Sequence, residues 1–293
     1  MLASLRLRRD PTQPVPNTML ICQLTDLHVR PVGKPSNRVS ETNMFTQRAF
    51  EAVAAFAPRP DVVVISGDLT ECGLAEEYAN LSSLIARHLP MPVFVIPGNH
   101  DRRENLRAAL AHLPGVTVDP DYVQYTVDDY PVRLVLLDTL VPGAGHGELR
   151  PGQLQWLDRT LSAEPHKPTM IAMHHPPFAC GIAHMDRIML RNTADFAGVI
   201  ARHQQVERII CGHHHRPIVA RVGPAIASIC PSVAHQVEMS LDPQGAANFV
   251  FEPPAFQLHR WTPAEGIVSH TAYVERFPGP FPFITDPDYP GKG

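Results

Sequence analysis

The sequence predicts an α/β fold, and three features of the 293-residue chain carry that prediction. Apolar runs rich in Val and Ile recur at residues 19–24, 62–65, 93–96, 134–137, 169–173 and 208–211, each bounded by turn residues. Near-continuous apolar runs of this length suit strands buried on both faces. Segments with helical spacing lie between them, at 41–56, 75–88, 154–161 and 193–203. The second of these opens on Glu76 and Glu77 and closes on Arg87 and His88, in agreement with the helix dipole. From 217 to 274 the character changes: short strands at 225–229, 248–251 and 267–273 follow without helices, which predicts an antiparallel finish to a second sheet.

Composition bounds the rest. Hydrophobic residues make up 44% and charged residues 18%, an ordinary globular balance. A net charge of −4 provides no basic field to hold a nucleic-acid polymer. No run of about 18 apolar residues is present to span a membrane. The five cysteines are an odd number without a CxxC pair, and Cys22 and Cys211 sit in apolar runs, so the reading is a reducing, cytoplasmic setting with no disulfide framework. The chain divides into a disordered extension at 1–17, one domain at 18–275, and a proline-rich tail at 276–293.

The chemistry sits where strands end. Residues 19–24 lead into Asp26 and His28, and 62–65 into Gly67 and Asp68. Residues 93–96 lead into Gly98, Asn99, His100 and Asp101, and 169–173 into His174 and His175. Residues 208–211 lead into Gly212, His213, His214 and His215. In open α/β sheets ligands bind at the carboxyl ends of strands, so five such ends are expected to converge. Carboxylates, imidazoles and one carboxamide without cysteine suit Zn, Fe, Mn or Co. Seven ligands exceed one ion and suffice for two that share a carboxylate. Alternate residues of an extended segment point the same way, so His213 and His215 can ligate while His214 points elsewhere. Gly67, Gly98 and Gly212 each precede a ligand and are read as sharp turns that aim the next side chain.

In this order, the blocks Asp26-x-His28, Gly67-Asp68, Gly98-Asn99-His100-Asp101, His174 and Gly212-His213-x-His215 resemble the calcineurin-like metallophosphoesterase superfamily over residues 19 to 275. The nearest branches are the bacterial class III cyclic nucleotide phosphodiesterases and the related glycerophosphodiesterases. That resemblance implies a four-layer α/β/β/α sandwich of two mixed sheets. It implies that Asp26, His28, Asp68 and His215 hold one metal ion, that Asp68, Asn99, His174 and His213 hold the other, and that Asp68 bridges. It implies hydrolysis of a small phosphodiester, 3′,5′-cyclic nucleotides (cAMP or cGMP) first, by a hydroxide bridging the two ions.

His100 is then not a ligand but the group that protonates the leaving oxygen. His28, Asn99, His100, His215 and His235 would contact substrate, with Glu71 supporting His100 from behind. Relatives are often oligomeric, so a homo-oligomer is expected. The Arg102-Arg103 pair reads as a solvated helix start. Segments 140–148 and 180–188 are the places expected to select the substrate. The alternatives are a glycerophosphodiesterase, a phosphomonoesterase, or a non-catalytic metal-binding scaffold of the same fold. The GxSxG, HExxH and P-loop patterns of other hydrolases are absent.

Overall fold

The computed structural model describes residues 4–5 and 17–283. Two large mixed sheets form its centre. The five-stranded sheet runs β14-β13-β2-β3-β4 and the seven-stranded sheet runs β1-β5-β6-β7-β8-β10-β9. The first is made of β2 (Met19–Leu24), β3 (Val62–Ser66), β4 (Val93–Ile96), β13 (Ala255–Thr262) and β14 (Gly266–Tyr273). The second is made of β1 (Ser4–Leu5), β5 (Tyr125–Val127), β6 (Arg133–Leu136), β7 (Thr169–Ala172), β8 (Val206–Cys211), β9 (Ile218–Val222) and β10 (Ala225–Ile229). A two-stranded ribbon joins β11 (Gln236–Val237) to β12 (Phe249–Val250). Most of the segment read as a disordered extension lies outside the described residues, although Ser4–Leu5 pair in parallel with Thr126–Val127 of β5.

Alternation along the strands explains the layering. Leu134, Leu136, Met170, Ala172 and Ile210 face a core shared with β2, β3 and β4. Their neighbours Val135, Leu137, Ile171, Met173, Ile209 and Cys211 face the opposite way. That second core is closed by α4 (Pro151–Ala163) through Trp156, Leu157 and Leu161, and by α6 (Thr193–Ile200) through Phe196 and Ile200. On the other flank α1 (Thr42–Ala54), α2 (Ala75–His88) and α3 (Arg103–Leu110) cover the five-stranded sheet with Phe50, Tyr78, Leu81, Leu106 and Leu110. A strand buried on both faces can only be apolar on both, which is why the runs are continuous. The result is the α/β/β/α sandwich.

Two sequence readings change here. The strands after residue 217 do not finish one sheet. β9 and β10 extend the seven-stranded sheet, with β10 parallel to β8, while β13 and β14 add antiparallel strands beside β2. The arginine pair is not merely a solvated start to α3 either. Arg102 is exposed, but the Arg103 guanidinium donates to both carboxylate oxygens of buried Asp138 at 2.6 and 2.7 Å and to the Leu140 carbonyl at 2.6 Å. A bidentate pair of this kind ties α3 to the segment after β6.

The two sheets are also joined by hydrogen bonds beneath the strand ends. The Gln23 amide donates to Ser66 Oγ at 2.8 Å and, across the sheet interface, to the Cys211 carbonyl at 2.9 Å. His259 Nε2 lies 3.2 Å from Gln23 Oε1, and its Nδ1 lies 2.7 Å from Ser269 Oγ. Every polar atom of this buried chain therefore finds a partner, as burial requires. No helix among the described residues is long and apolar enough to cross a membrane.

Candidate metal centre

The five strand ends converge, but from two sheets. Asp26 and His28 follow β2, Asp68 follows β3, and Asn99 and His100 follow β4; His174 follows β7, and His213 and His215 follow β8. The segments leaving β2 and β3 stay paired past the strands. Asp26 N–H donates to the Gly67 carbonyl at 3.1 Å and His28 N–H to the Asp68 carbonyl at 3.0 Å, so three candidate ligands emerge side by side.

Backbone conformation at these positions is unusual. Asp26, His28, Asp68, His213 and His215 all have positive φ, between 45° and 73°. Non-glycine residues seldom occupy this region, although Asp, Asn and His are enriched there. The glycines act differently from the turn role expected of all three. Only Gly67 has positive φ, and a Cβ there would meet the His174 ring at 2.4 Å. A Cβ on Gly98 would meet Asp68 Oδ1 at 2.2 Å, and one on Gly212 would meet Thr25 Oγ1 at 2.0 Å and Asp26 Oδ2 at 2.8 Å. They give room for a carboxylate or imidazole from another strand.

The ring protons can be placed. His174 Nδ1 lies 2.9 Å from the Ser66 carbonyl and His215 Nδ1 lies 2.8 Å from the His235 carbonyl. A carbonyl only accepts, so in the neutral ring the proton is on Nδ1 and the lone pair on Nε2. His28 Nδ1 lies 2.8 Å from a Glu71 carboxylate oxygen, a charge contact without hydrogen-bond alignment. The free Nε2 atoms then point at further acceptors. His215 Nε2 is 3.3 Å from Asp26 Oδ1 and 3.2 Å from His28 Nε2. His174 Nε2 is 3.3 Å from Asp68 Oδ2 and 3.2 Å from Asn99 Oδ1. Asp68 Oδ2 also lies 3.8 Å from His28 Nε2, so one oxygen sits between the two groups.

Buried acceptors facing acceptors need a cation between them. The fields say the same. Burial works against a charged His174, yet Asp68 outweighs it and lifts the imidazole to about 9. His215 is raised against burial in the same way, chiefly by Asp26. Asp68 is held well below the usual carboxylate range, since His174 and His100 overcome its burial. The donor set fits two metal ions, with nitrogen and oxygen ligands and no thiolate. Asp26, His28, Asp68 and His215 have ligand atoms all within 4.8 Å of one another. His213 stands with its ring 5.1 Å from that of His174, and its buried Nε2 has no hydrogen-bond partner.

Around these lie the supporting residues. Glu71 supports two histidines by different atoms: its carboxylate faces His28, whereas His100 Nδ1–H donates to its main-chain carbonyl at 2.7 Å. The expectation that its side chain backs His100 is met by the backbone instead. His235 lends its carbonyl to His215 and its ring to the cleft, 5.5 Å from the His28 ring. Burial, then His215 and His28, push the His235 imidazole down to about 3.

Asp101 was not singled out from sequence. It accepts from the N–H groups of Leu69, Thr70 and Gly98 and from the hydroxyls of Thr70 and Tyr78, and so locks the β3 and β4 exits together. Its only signal was its place closing the Gly-Asn-His-Asp block. His175, beside His174, has its Nδ1 2.8 Å from Thr139 Oγ1 and packs its ring 4.6 Å from that of His213.

A buried histidine–aspartate centre between two mixed sheets, with Asp68 lying between His28 and His174, fits a dinuclear metallohydrolase. The calcineurin-like phosphoesterase family profile matches residues 19–217. A curated relative from Arcobacter nitrofigilis, named "Probable glycerophosphodiester phosphodiesterase GpdQ", is 32% identical over 92% of this chain and 98% of its own. The 3′,5′-cyclic adenosine monophosphate phosphodiesterase CpdA of Vibrio vulnificus is 32% identical over 68% of this chain and 71% of its own. Among solved structures, a dimetal phosphatase from Danio rerio aligns with a TM-score of 0.59 at 18% identity, covering 90% of this chain and all of that one. The chain belongs to the calcineurin-like phosphoesterase family, whose members use a dinuclear metal site.

Proposed function

We propose that this chain is a metal-dependent phosphoric diester hydrolase acting on small diesters. Asp26, His28, Asp68 and His215 would hold one ion, and Asp68, Asn99, His174 and His213 the other. The carrying observation is Asp68 Oδ2, placed between His174 Nε2 at 3.3 Å and His28 Nε2 at 3.8 Å. When bound, two such ions acidify water and offset negative charge on the phosphoryl oxygens.

The protein's own part begins at His100. Its Nδ1–H is committed to the Glu71 carbonyl, which leaves Nε2 as the nitrogen that hands a proton to the departing oxygen. Asp68 Oδ1 accepts the His100 N–H at 2.9 Å, so the shared carboxylate and the acid are fixed on one scaffold. Burial opposes a protonated ring, but Asp68 and the Glu71 carbonyl raise the His100 pKa, which suits a proton donor. His28, Asn99, His215 and His235 border the phosphoryl group.

For substrate the reading is a 3′,5′-cyclic nucleotide, in line with the CpdA relatives. A glycerophosphodiester is the second reading, favoured by the GpdQ relative's overlap over 92% of this chain. The test is a panel of cAMP, cGMP, glycerophosphoethanolamine, bis-p-nitrophenyl phosphate and p-nitrophenyl phosphate with Mn, Fe, Co or Zn supplied. Diesters are expected to turn over faster than the monoester. Failure to hydrolyse any of the diesters with every metal overturns the proposal.

A further inference from the structure

Two hollows meet at Glu71, Asn99 and His100. One, of about 230 Å³, is lined by candidate ligands together with Met185, Ile188 and Val237. The second, of about 260 Å³, is bordered by Cys72, Arg102 and the loop Gly143 to Gly145. Their chemistry differs. Met185 and Val237 form a small apolar cluster with Ile182, apart from both main cores, and Ile188 packs against it. Met185 sits on α5 (Ala183–Asp186), whose Asp186 accepts the N–H groups of Cys180 and Gly181 at 2.8 and 2.9 Å. The wall is therefore fixed from behind. The His235 ring continues it, backed by Phe249 at 5.1 Å between centroids.

Hydrocarbon beside a metal centre limits water access, but it offers no bond to the ions or to the phosphoryl oxygens. It serves whatever organic group the phosphate carries. A glycerol moiety placed there gives up hydrogen bonds to water and gains none back. A flat ring loses little and buries apolar area, and a methionine thioether makes favourable contacts with aromatic edges. Resting on the phosphodiesterase reading, we infer that Met185, Ile188 and Val237 determine specificity by receiving the flat ring that the diester carries, a nucleobase or an aryl group, in preference to glycerol.

The test uses the metal-loaded full chain. Competition binding compares phenylphosphonate with glycerol 3-phosphate, and steady-state kinetics compare bis-p-nitrophenyl phosphate and cAMP with glycerophosphoethanolamine. The native chain is expected to bind phenylphosphonate more tightly. Met185→Ser combined with Ile188→Ser is expected to erase that preference and to raise KM for the ring-bearing diesters by roughly 10-fold, with kcat, metal content and KM for glycerophosphoethanolamine little changed. Val237→Thr, which keeps volume and adds a hydroxyl, should move the same quantities in the same direction if the double variant folds poorly. Equal affinity of the native chain for the two ligands, or parallel KM rises for all substrates, overturns the wall. A preserved preference for phenylphosphonate without any diester turnover overturns the phosphodiesterase reading instead and leaves the wall standing.

Discussion

The two proposed halves of the metal centre would be unequal in charge and in support. One brings together two carboxylates, Asp26 and Asp68, with His28 and His215. The other, as proposed, would have only the shared Asp68, a neutral Asn99, and two imidazoles. Support follows the same order. In the first half, His28 is backed by Glu71 and His215 by the His235 carbonyl, while both Asp26 oxygens accept the His213 N–H. In the second, His174 Nδ1 is held by the Ser66 carbonyl. Attraction for a cation grows with carboxylate count, and ligands tethered from behind bind more strongly. The first half should therefore retain its ion under conditions that strip the second.

The most severe way to break that asymmetry is at the shared group. Asp68→Ala is expected to empty or scramble both positions and abolish turnover; elemental analysis finding two ions still bound would contradict a bridging role. Next in size is His100→Ala, expected to keep both ions and lower kcat by about 10²–10⁴. Loss of metal on that change would place His100 among the ligands.

Asn99→Ala should then separate the halves directly, leaving one ion per chain after dialysis where the native protein keeps two. Glu71→Gln acts on the opposite half, and weakening of its metal affinity by about 10–100-fold is expected, with the partner position retained. Titration calorimetry that finds both positions weakened equally by either change would end the claim of asymmetry.

A separate effect lies outside both halves. Burial, with Arg208 and His270, pushes the His259 imidazole down to about 3, against about 6.5 in an unfolded chain. A histidine depressed in this way stabilises the fold fully above pH 6.5 and less as pH falls toward 3, because only the unfolded state takes up the proton. His259→Gln should flatten that part of the stability profile, as measured by denaturant melts from pH 7 to 4.

Legibility from sequence followed the range of the interaction. The ligand blocks could be read because each is local: a buried strand must be apolar, so the first polar residues after it stand out at Asp26, Asp68, Asn99, His174 and His213. The α/β class was legible for the same reason. What could not be read depends on distant partners. Arg103 looks solvated until Asp138, 35 positions later, is seen to meet it. Glu71 reaches His100 through its main chain, and a carbonyl has no residue identity to betray it. The strands after 217 are distributed over both sheets because β10 pairs with β8 and β13 with β2, and short apolar segments alone do not encode the neighbour they choose.

The left-handed backbone at Asp26, His28, Asp68, His213 and His215 has an energetic consequence. An L-residue held there costs roughly 1–2 kcal/mol that glycine would not. Each of these five positions is thus a site where glycine relaxes the chain while deleting a donor. Glycine at any of them would relieve that backbone cost but strip buried hydrogen bonds, such as His213 N–H on Asp26 and His100 N–H on Asp68, so the strain persists only because the side chains hold the site together.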